Sequence, residues 1–474
     1  MPLTARNEGF TTLLKKKNFL LIWLAQLISM TIFYASNFAL LVLIEEVTGS
    51  TTLVGLAIIC FSLPAVLFGA PAGVYVDRMD KRLVLWGSNL LRALATFIFA
   101  IVLLIDRHQL IPVYLLTFLV SSIGQFFTPA EGSSIPMLVS EEELMPALSL
   151  FNITFMLSQA IGFILLAPIV LSLLPNITIG SLVIYPIESL YLLIAIPYGV
   201  CAVLTAMLPA SQLSDTANKA RKSANTPDNL EVVSNMWTEM YQGWAFIRRN
   251  KRLFLAVVQL SFAGVLLLVI GQLATPIVTK LLLLPANAMA FIFAPAGIGL
   301  VIGSIFMPRI TNRTGKSRAI VIGCVTLTAI TLLLPTSTLL AKTLQPNGWN
   351  TNPLLLIFIA ILMFAAGFSL DFINIPAQTA IQEYTPDWIK GRVLALQLML
   401  YNACAIPIIL FIGAIADLFG LDRVLYLMSI CELAFGLWGI YYARKHPRKA
   451  PAIQEKPGET GETEAESAKL PTQL

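Results

Sequence analysis

Charge is scarce in this chain. Only 12% of its 474 residues are Asp, Glu, Lys or Arg, about half the share in soluble globular proteins. With 57% hydrophobic residues and a mean hydropathy of +0.80, that scarcity excludes a water-soluble fold of this size. Histidine is scarcer still: His108 and His446 both fall in polar connecting segments. Two such histidines build neither a metal cluster nor an intramembrane imidazole relay. They also leave no nucleophile–base pair or metal set from which to assemble an enzyme. The five cysteines, Cys60, Cys201, Cys324, Cys404 and Cys431, are scattered through apolar runs, so free buried thiols are expected in place of a disulfide framework. The dominance of apolar residues excludes a disordered or collagenous chain. The net charge of +5 and pI near 8.9 do not point to nucleic acid, because in a membrane protein a basic excess marks the loops on one side.

What the chain has is long apolar runs. A hydrocarbon core of about 30 Å needs roughly 20 apolar residues per helix, and about twelve such runs emerge. They start near Phe19, Leu53, Leu83, Ile111, Leu148 and Pro186, then near Leu253, Ala288, Ala319, Pro353, Val393 and Val424. None shows the apolar/polar alternation of a barrel strand. The expected fold is therefore an all-α membrane protein of twelve transmembrane helices in two six-helix, pseudo-symmetric halves. Its parts are a cytoplasmic N-terminus (1–18), an N-terminal bundle (19–208), a cytoplasmic linker (209–252), a C-terminal bundle (253–443) and a disordered cytoplasmic tail (444–474). Lys15, Lys16 and Lys17 precede a full-length first span with no small-residue cleavage site, so no cleavable leader is expected.

Lys and Arg fall roughly 26 to one side of the spans and about 4 to the other. The basic side holds Arg78, Lys81, Arg82, the Arg248 to Arg252 cluster, Arg309, Arg313, Lys316 and Arg318; Arg107, Lys280, Lys342 and Arg423 lie opposite. Both termini are thus expected in the cytoplasm, in an inner cell membrane. In the linker, Trp237, Tyr241, Trp244 and Ile247 recur at helical spacing ahead of Arg248 and Arg249. That pattern fits either an amphipathic helix on the inner leaflet or a short helix packed on the bundle.

The halves repeat. Pro64, Ala65, Gly69 and Gly73 in the second span are echoed by Pro295, Ala296, Gly299 and Gly303 in the eighth. Phe127-Thr128-Pro129-Ala130 is echoed by Asn374-Ile375-Pro376-Ala377 in the tenth. Two six-span halves in one orientation are a parallel-repeat design found among secondary transporters. After the second span comes Gly73-x-x-x-Asp77-Arg78-x-x-Lys81-Arg82. A Gly at a helix end permits close packing, an Asp can meet the positive N-terminus of another helix, and the basic cluster holds the loop at the inner face.

These residues resemble the loop signature of the major facilitator superfamily, with every signature position filled. The segment Phe126 to Leu144, Gly391-Arg392-Val393 and Gly413-Ala-Ile-Ala-Asp417-Leu-Phe-Gly420 are similar to the macrolide-efflux and enterobactin-exporter branch. The resemblance covers nearly the whole chain up to the tail. It implies that Asp77 faces the start of the eleventh helix around Lys390, Gly391 and Arg392 and favours the outward-facing state. The second-half copy departs from the signature, with Met307-Pro308-Arg309 where Asp-Arg would stand, which implies an asymmetric gate. The fifth helix reads Ile161-Gly162 to Ala167-Pro168, without the Gly-Pro pair of the proton-antiporter signature. Gly315-Lys316-Ser317 has no phosphate-loop first glycine, since Ile310 stands there, so ATP drive is not expected.

In this fold helices one, four, seven and ten line the cavity. Polar residues lie along them: Gln26, Ser29 and Asn37; Ser121, Gln125 and Thr128; Gln272, Thr275 and Thr279; Gly367, Asp371, Asn374 and Gln378. Amides at such positions also serve as glue between helices. A carboxylate at the depth of Asp371 costs about 3 kcal/mol, so it should face the cavity, pair with a cation or carry a proton. Glu432 is a second candidate proton carrier, Arg92 should snorkel or pair with a carboxylate, and Glu188 should be interfacial. The expected function is a proton-coupled exporter of small amphipathic, drug- or macrolide-like molecules, a multidrug antiporter working by alternating access. A lysophospholipid flippase or a siderophore exporter are alternatives, and a non-transporting sensor or scaffold is the rival of another class. The expected partners are a small-molecule substrate, protons and the bilayer; no cofactor, metal or nucleic acid is called for, and a monomer is expected.

Overall fold

The computed structural model describes residues 12–179, 182–213, 241–285 and 288–446. Twelve of its helices are long and apolar enough to span a membrane. The first half comprises α1 (Lys17–Thr48), α2 (Thr51–Arg78), α3 (Lys81–Ile105), α4 (Leu110–Leu138), α5 and α6 (Pro186–Ala206). α5 is built of Glu141–Ala160, a π-helical turn Ile161–Leu166 and Ala167–Leu173. The wide turn lies just before Pro168, whose ring and missing N–H disrupt an ordinary α-helical ladder. The second half comprises α7 (Lys251–Pro276, with a π-helical extension Ile277–Leu281), α8 (Met289–Thr314), α9 (Lys316–Leu344), α10 (Pro353–Tyr384), α11 (Asp387–Phe419) and α12 (Leu421–Lys445).

Helix starts follow local chemistry. Asp80 Oδ1 accepts from the Arg82 and Leu83 amides at the start of α3, Asn250 Oδ1 caps α7, and Asn352 Oδ1 caps α10. One element does not follow from the hydropathy pattern: Ile177–Ile179 and Leu182–Ile184 pair antiparallel between α5 and α6, with Thr178 opposite Val183. β-branched residues flank Gly180-Ser181 there, which suits a pleated ribbon better than a helix end.

The repeat seen in the sequence recurs in the packing. α2 packs on α4 as α8 packs on α10, and α3 packs on α6 as α9 packs on α12. The α8–α10 crossing is set by glycines: a Cβ at Gly367 would lie 1.9 Å from the Ala296 carbonyl oxygen, and one at Gly299 would lie 2.1 Å from that of Phe364. Small residues let such backbones touch, which is the main source of helix association where lipid removes the hydrophobic drive.

The apolar core is continuous at one end of the molecule and divided at the other. At the end away from the basic loops, one cluster joins both halves, from Phe38, Leu41 and Ile44 of α1 to Val269 and Leu273 of α7 and Ile409 of α11. At the basic end the described residues form two clusters. One holds Phe19, Ile22, Leu85 and Phe127 of the first half; the other holds Leu253, Val257, Ile381 and Val393 of the second. The second also takes in Ile247, which is buried, while Trp244 packs against it and Tyr241 stands exposed on the helical stretch 241–249. Trp237 lies outside the described residues.

Candidate functional site

The halves meet at the non-basic face through a polar network. Asp417, in the last turn of α11, accepts from the Thr51 amide at 2.8 Å, the Thr52 amide at 2.9 Å, and the Ser50 and Thr52 hydroxyls at 2.7 Å each. The first amides of a helix have no intrahelical acceptor and carry the positive end of its dipole, so a carboxylate from the other half completes the start of α2. Lys280, carried on the π-helical end of α7, pairs with Glu45 of α1 at 3.1 Å and donates to the Gly49 carbonyl at 2.7 Å and the Thr51 hydroxyl at 3.2 Å. About two turns earlier in α7, Gln272 Nε2 donates to the carbonyls of Thr51 and Ile409, both at 3.0 Å. Gly55 and Gly413 make room for it: a Cβ on either would come within 2.7 Å of that nitrogen. Four helices, two from each half, are thereby fastened at this face.

The basic face is arranged differently. Among the described residues, nothing lies within 4 Å of where a Cβ on Gly73 would stand. Arg82 donates twice to the Ala206 carbonyl, tying the start of α3 to the end of α6 inside one half. Lys81 is buried. The side chains of Asp77, Arg78 and Arg392, and the surroundings of Gly391, lie outside what is described.

The polar stripes divide among three environments. Gln272 belongs to the closed face, and buried Thr275 beside it donates to the Met289 sulfur at 3.6 Å. Gln26, Ser29 and Asn37 turn into the first bundle: Gln26 Nε2 donates to the Phe151 carbonyl, the Ser29 hydroxyl to that of Gln26, and Asn37 lines a small cavity with Ser36, Thr96, Ser121 and Tyr191. Gln125, Asn374 and Gln378 are half-buried. Asp371 is 1% exposed and faces α8, where the Ser304 hydroxyl donates to Oδ2 at 3.1 Å and Gly303 leaves the space the carboxylate fills. Among the described residues no cation pairs with it.

Residues 22–407 match the Major Facilitator Superfamily. The chain belongs to that superfamily. It is 27% identical over 249 residues to macrolide efflux protein A of Streptococcus pyogenes, covering 50% of this chain and 53% of that protein. To macrolide efflux protein A of Enterococcus faecalis it is 29% identical over 215 residues, 44% and 56% of the two chains. The chain thus matches about half the length of these relatives. Among solved structures, a substituted form of nucleoside transporter NupG superposes with a TM-score of 0.67 at 14% identity, covering 90% of this chain and 99% of that one. Membership makes this facilitator a transporter and not an enzyme.

Other groups of this superfamily member meet partners that hydropathy does not specify. Glu188 is buried against Arg107, which pairs with Glu46 at 3.2 Å and lies over the Tyr185 ring. Glu432 accepts from the Thr331 hydroxyl at 2.8 Å across α9 and α12. Arg92 does not snorkel; it is 2% exposed inside the first bundle. Cys404 and Cys431 are exposed on the apolar surface, whereas Cys201 and Cys324 are buried, and all five thiols are free. Sequence reasoning missed Glu45, Glu131 and the role of Asp417. The one available signal was Lys280, a rare cation on the non-basic side.

Proposed function

We propose that this transporter exports small amphipathic molecules, macrolide-like compounds among them, by alternating access. The observation that carries this reading is the asymmetry between faces: one common core latched by Asp417, Lys280 and Gln272 at one end, two separate cores at the other. With the basic face toward the cytoplasm, as the Lys and Arg distribution favours, this is the inward-open state that loads substrate for export. Rocking of one half against the other would undo the latch and join the inner clusters around a midplane site.

Asp77 would then take up at the start of α11 the part that Asp417 plays at the start of α2, so each of the two helices caps the other at opposite ends of the cycle. The half-buried Gln125, Asn374 and Gln378 offer hydrogen bonds to an otherwise apolar ligand. The similarity to macrolide efflux proteins supports the substrate class. For energy we assign proton antiport, with Asp371 binding a proton in one orientation and releasing it in the other. Its burial without a cation supports that role, because an isolated carboxylate in hydrocarbon is driven to bind a proton.

Purified protein in liposomes, with an imposed pH gradient and a radiolabelled macrolide, tests the reading. Wild type should accumulate the compound and Asp371→Asn should lose at least tenfold of that accumulation. Equal accumulation by the two proteins would remove Asp371 from the coupling step.

A further inference from the structure

Transport as described leaves one buried pair of charged residues unused. Arg92 of α3 and Glu131 of α4 are 2% and 5% exposed inside the first bundle. The guanidinium carbon lies 5.7 Å from the ring centre of Phe33, 5.3 Å from that of Phe127 and 5.9 Å from that of Tyr198, contributed by α1, α4 and α6. Gly124 of α4 closes the cage: a Cβ there would stand 2.3 Å from Nη2. The cation is therefore fixed by rings and backbone, and not by a carboxylate.

A structural Arg–Glu pair normally closes into a two-pronged contact. Here the two groups interact through space without forming an ion pair within 4 Å. Arg92 Nε and Nη1, Glu131 Oε1 and the hydroxyl of Tyr198, whose ring faces the guanidinium, are buried without hydrogen-bond partners, as are Asn89 Oδ1 one turn before Arg92 and, also in the first bundle, Gln26 Oε1 and Ser121 Oγ. Such a concentration of unmet donors and acceptors is where proteins hold internal water. Ser121 also lines the small polar cavity with Thr96 and Asn37, which extends the polar interior away from the basic face. Glu131 itself lies seven residues before the end of α4, about 10 Å from the basic face.

We propose that Glu131, opposed by Arg92 across a hydrated pocket inside the first bundle, is a second proton-binding site of the transport cycle. The step is Glu131-COO⁻ plus H⁺ giving Glu131-COOH, with no other bond made or broken. Arg92 supplies a standing positive charge that stabilises the carboxylate without locking it, so the proton can be exchanged. Among the described residues, the other titratable groups facing this pair are Tyr198 and Cys201 of α6, both on the Arg92 side. Of the charged groups at the basic end, Lys16 of the N-terminal segment pairs with Glu143 of α5, and Arg82 of α3 is held by Ala206. Loading Glu131 leaves Arg92 uncompensated in the bundle, so the proton changes the cost of burying this end as the halves rock.

The inference rests on proton-coupled export, and the test separates the two. In proteoliposomes with a tritiated macrolide as probe, Glu131→Gln should lose about tenfold of pH-gradient-driven accumulation while keeping counterflow within about twofold of wild type. If wild type itself ignores the gradient, proton coupling fails and this site with it. If wild type responds and Glu131→Gln responds equally, only the Glu131 site is overturned. Should Glu131→Gln lose counterflow as well, infrared titration decides without any substrate: a protonated-carboxyl band of wild type must shift in Glu131→Asp, and an unshifted band overturns the proposal.

Discussion

Removing the charge of Asp417 should release the closed face. In the closed state its Oδ2 accepts from the Ser50 hydroxyl and from the amide and hydroxyl of Thr52, while Oδ1 accepts from the Thr51 amide and lies 3.9 Å from the Lys280 ammonium. In Asp417→Asn the new side chain would keep the three contacts on one side by presenting its carbonyl there. Its NH₂ would then confront the Thr51 amide and Lys280, donor against donor. One charge-assisted hydrogen bond contributes about 1.5–3 kcal/mol, and a carboxylate at a helix N-terminus about 0.3–1 kcal/mol. The group is partly exposed, which places the sum near the low end, about 2 kcal/mol, or about 30-fold in the equilibrium between closed and open. A state occupied at about 1% in wild type would rise to about a quarter of the population. Spin labels at Gln109 and Gln345, on the non-basic connections of the two halves, with the five native cysteines replaced by serine, would report the change as a second, longer distance in Asp417→Asn. Indistinguishable distance distributions for Asp417→Asn and its parent would refute the capping argument.

Two further substitutions probe the same architecture. Gly413→Leu should prevent closure while leaving each half folded, because a Cβ alone would come 2.8 Å from the Thr52 Cα and 3.1 Å from the Thr51 carbonyl oxygen; transport should drop at least tenfold, and a variant that still closes by the same spin-label distance contradicts this. At the basic end, hydrogen bonds from Lys16 and from the amide and hydroxyl of Ser140 push the Glu143 carboxyl down to about 2. A depressed carboxyl stabilises the fold above its ordinary value near 4.5 and loses that contribution as pH falls toward 2. Melting temperature should therefore decline between pH 5 and 3 more steeply in wild type than in Glu143→Gln, and parallel declines would show that the Lys16–Glu143 pair adds nothing.

The spans were legible because they depend on one-dimensional physics. A stretch of about 20 apolar residues has nowhere else to go, so the expected starts near Leu83, Ile111, Pro186, Leu253 and Pro353 fall within two residues of the helices formed there. Internal prolines did not mislead, since α2, α4, α8 and α10 run through theirs; in a bundle, neighbouring helices satisfy the freed carbonyls. The pairing of Ile177–Ile179 with Leu182–Ile184 was hidden because five of these six residues are apolar, and hydropathy alone does not separate a short ribbon from a frayed helix end.

The site was less legible, for two reasons. Helical periodicity tells which residues share a face but not what that face meets. Gln26, Ser29 and Asn37 do form a stripe, yet it turns into the first bundle, and Asp371 turns to Ser304 of α8. The latch, in turn, joins Glu45, Thr51, Lys280 and Asp417, which are scattered over nearly the whole chain and come from four helices. No local pattern announces such a set. Asp417 was visible only as part of a segment similar to efflux proteins, and its use emerges once α11 is seen to end beside the start of α2. A transporter that alternates between two faces must encode two latches with one set of helices. The sequence displays one contiguous motif, around Gly73 and Asp77, that resembles a gate signature, while the structure closes the opposite face through residues that form no contiguous motif at all.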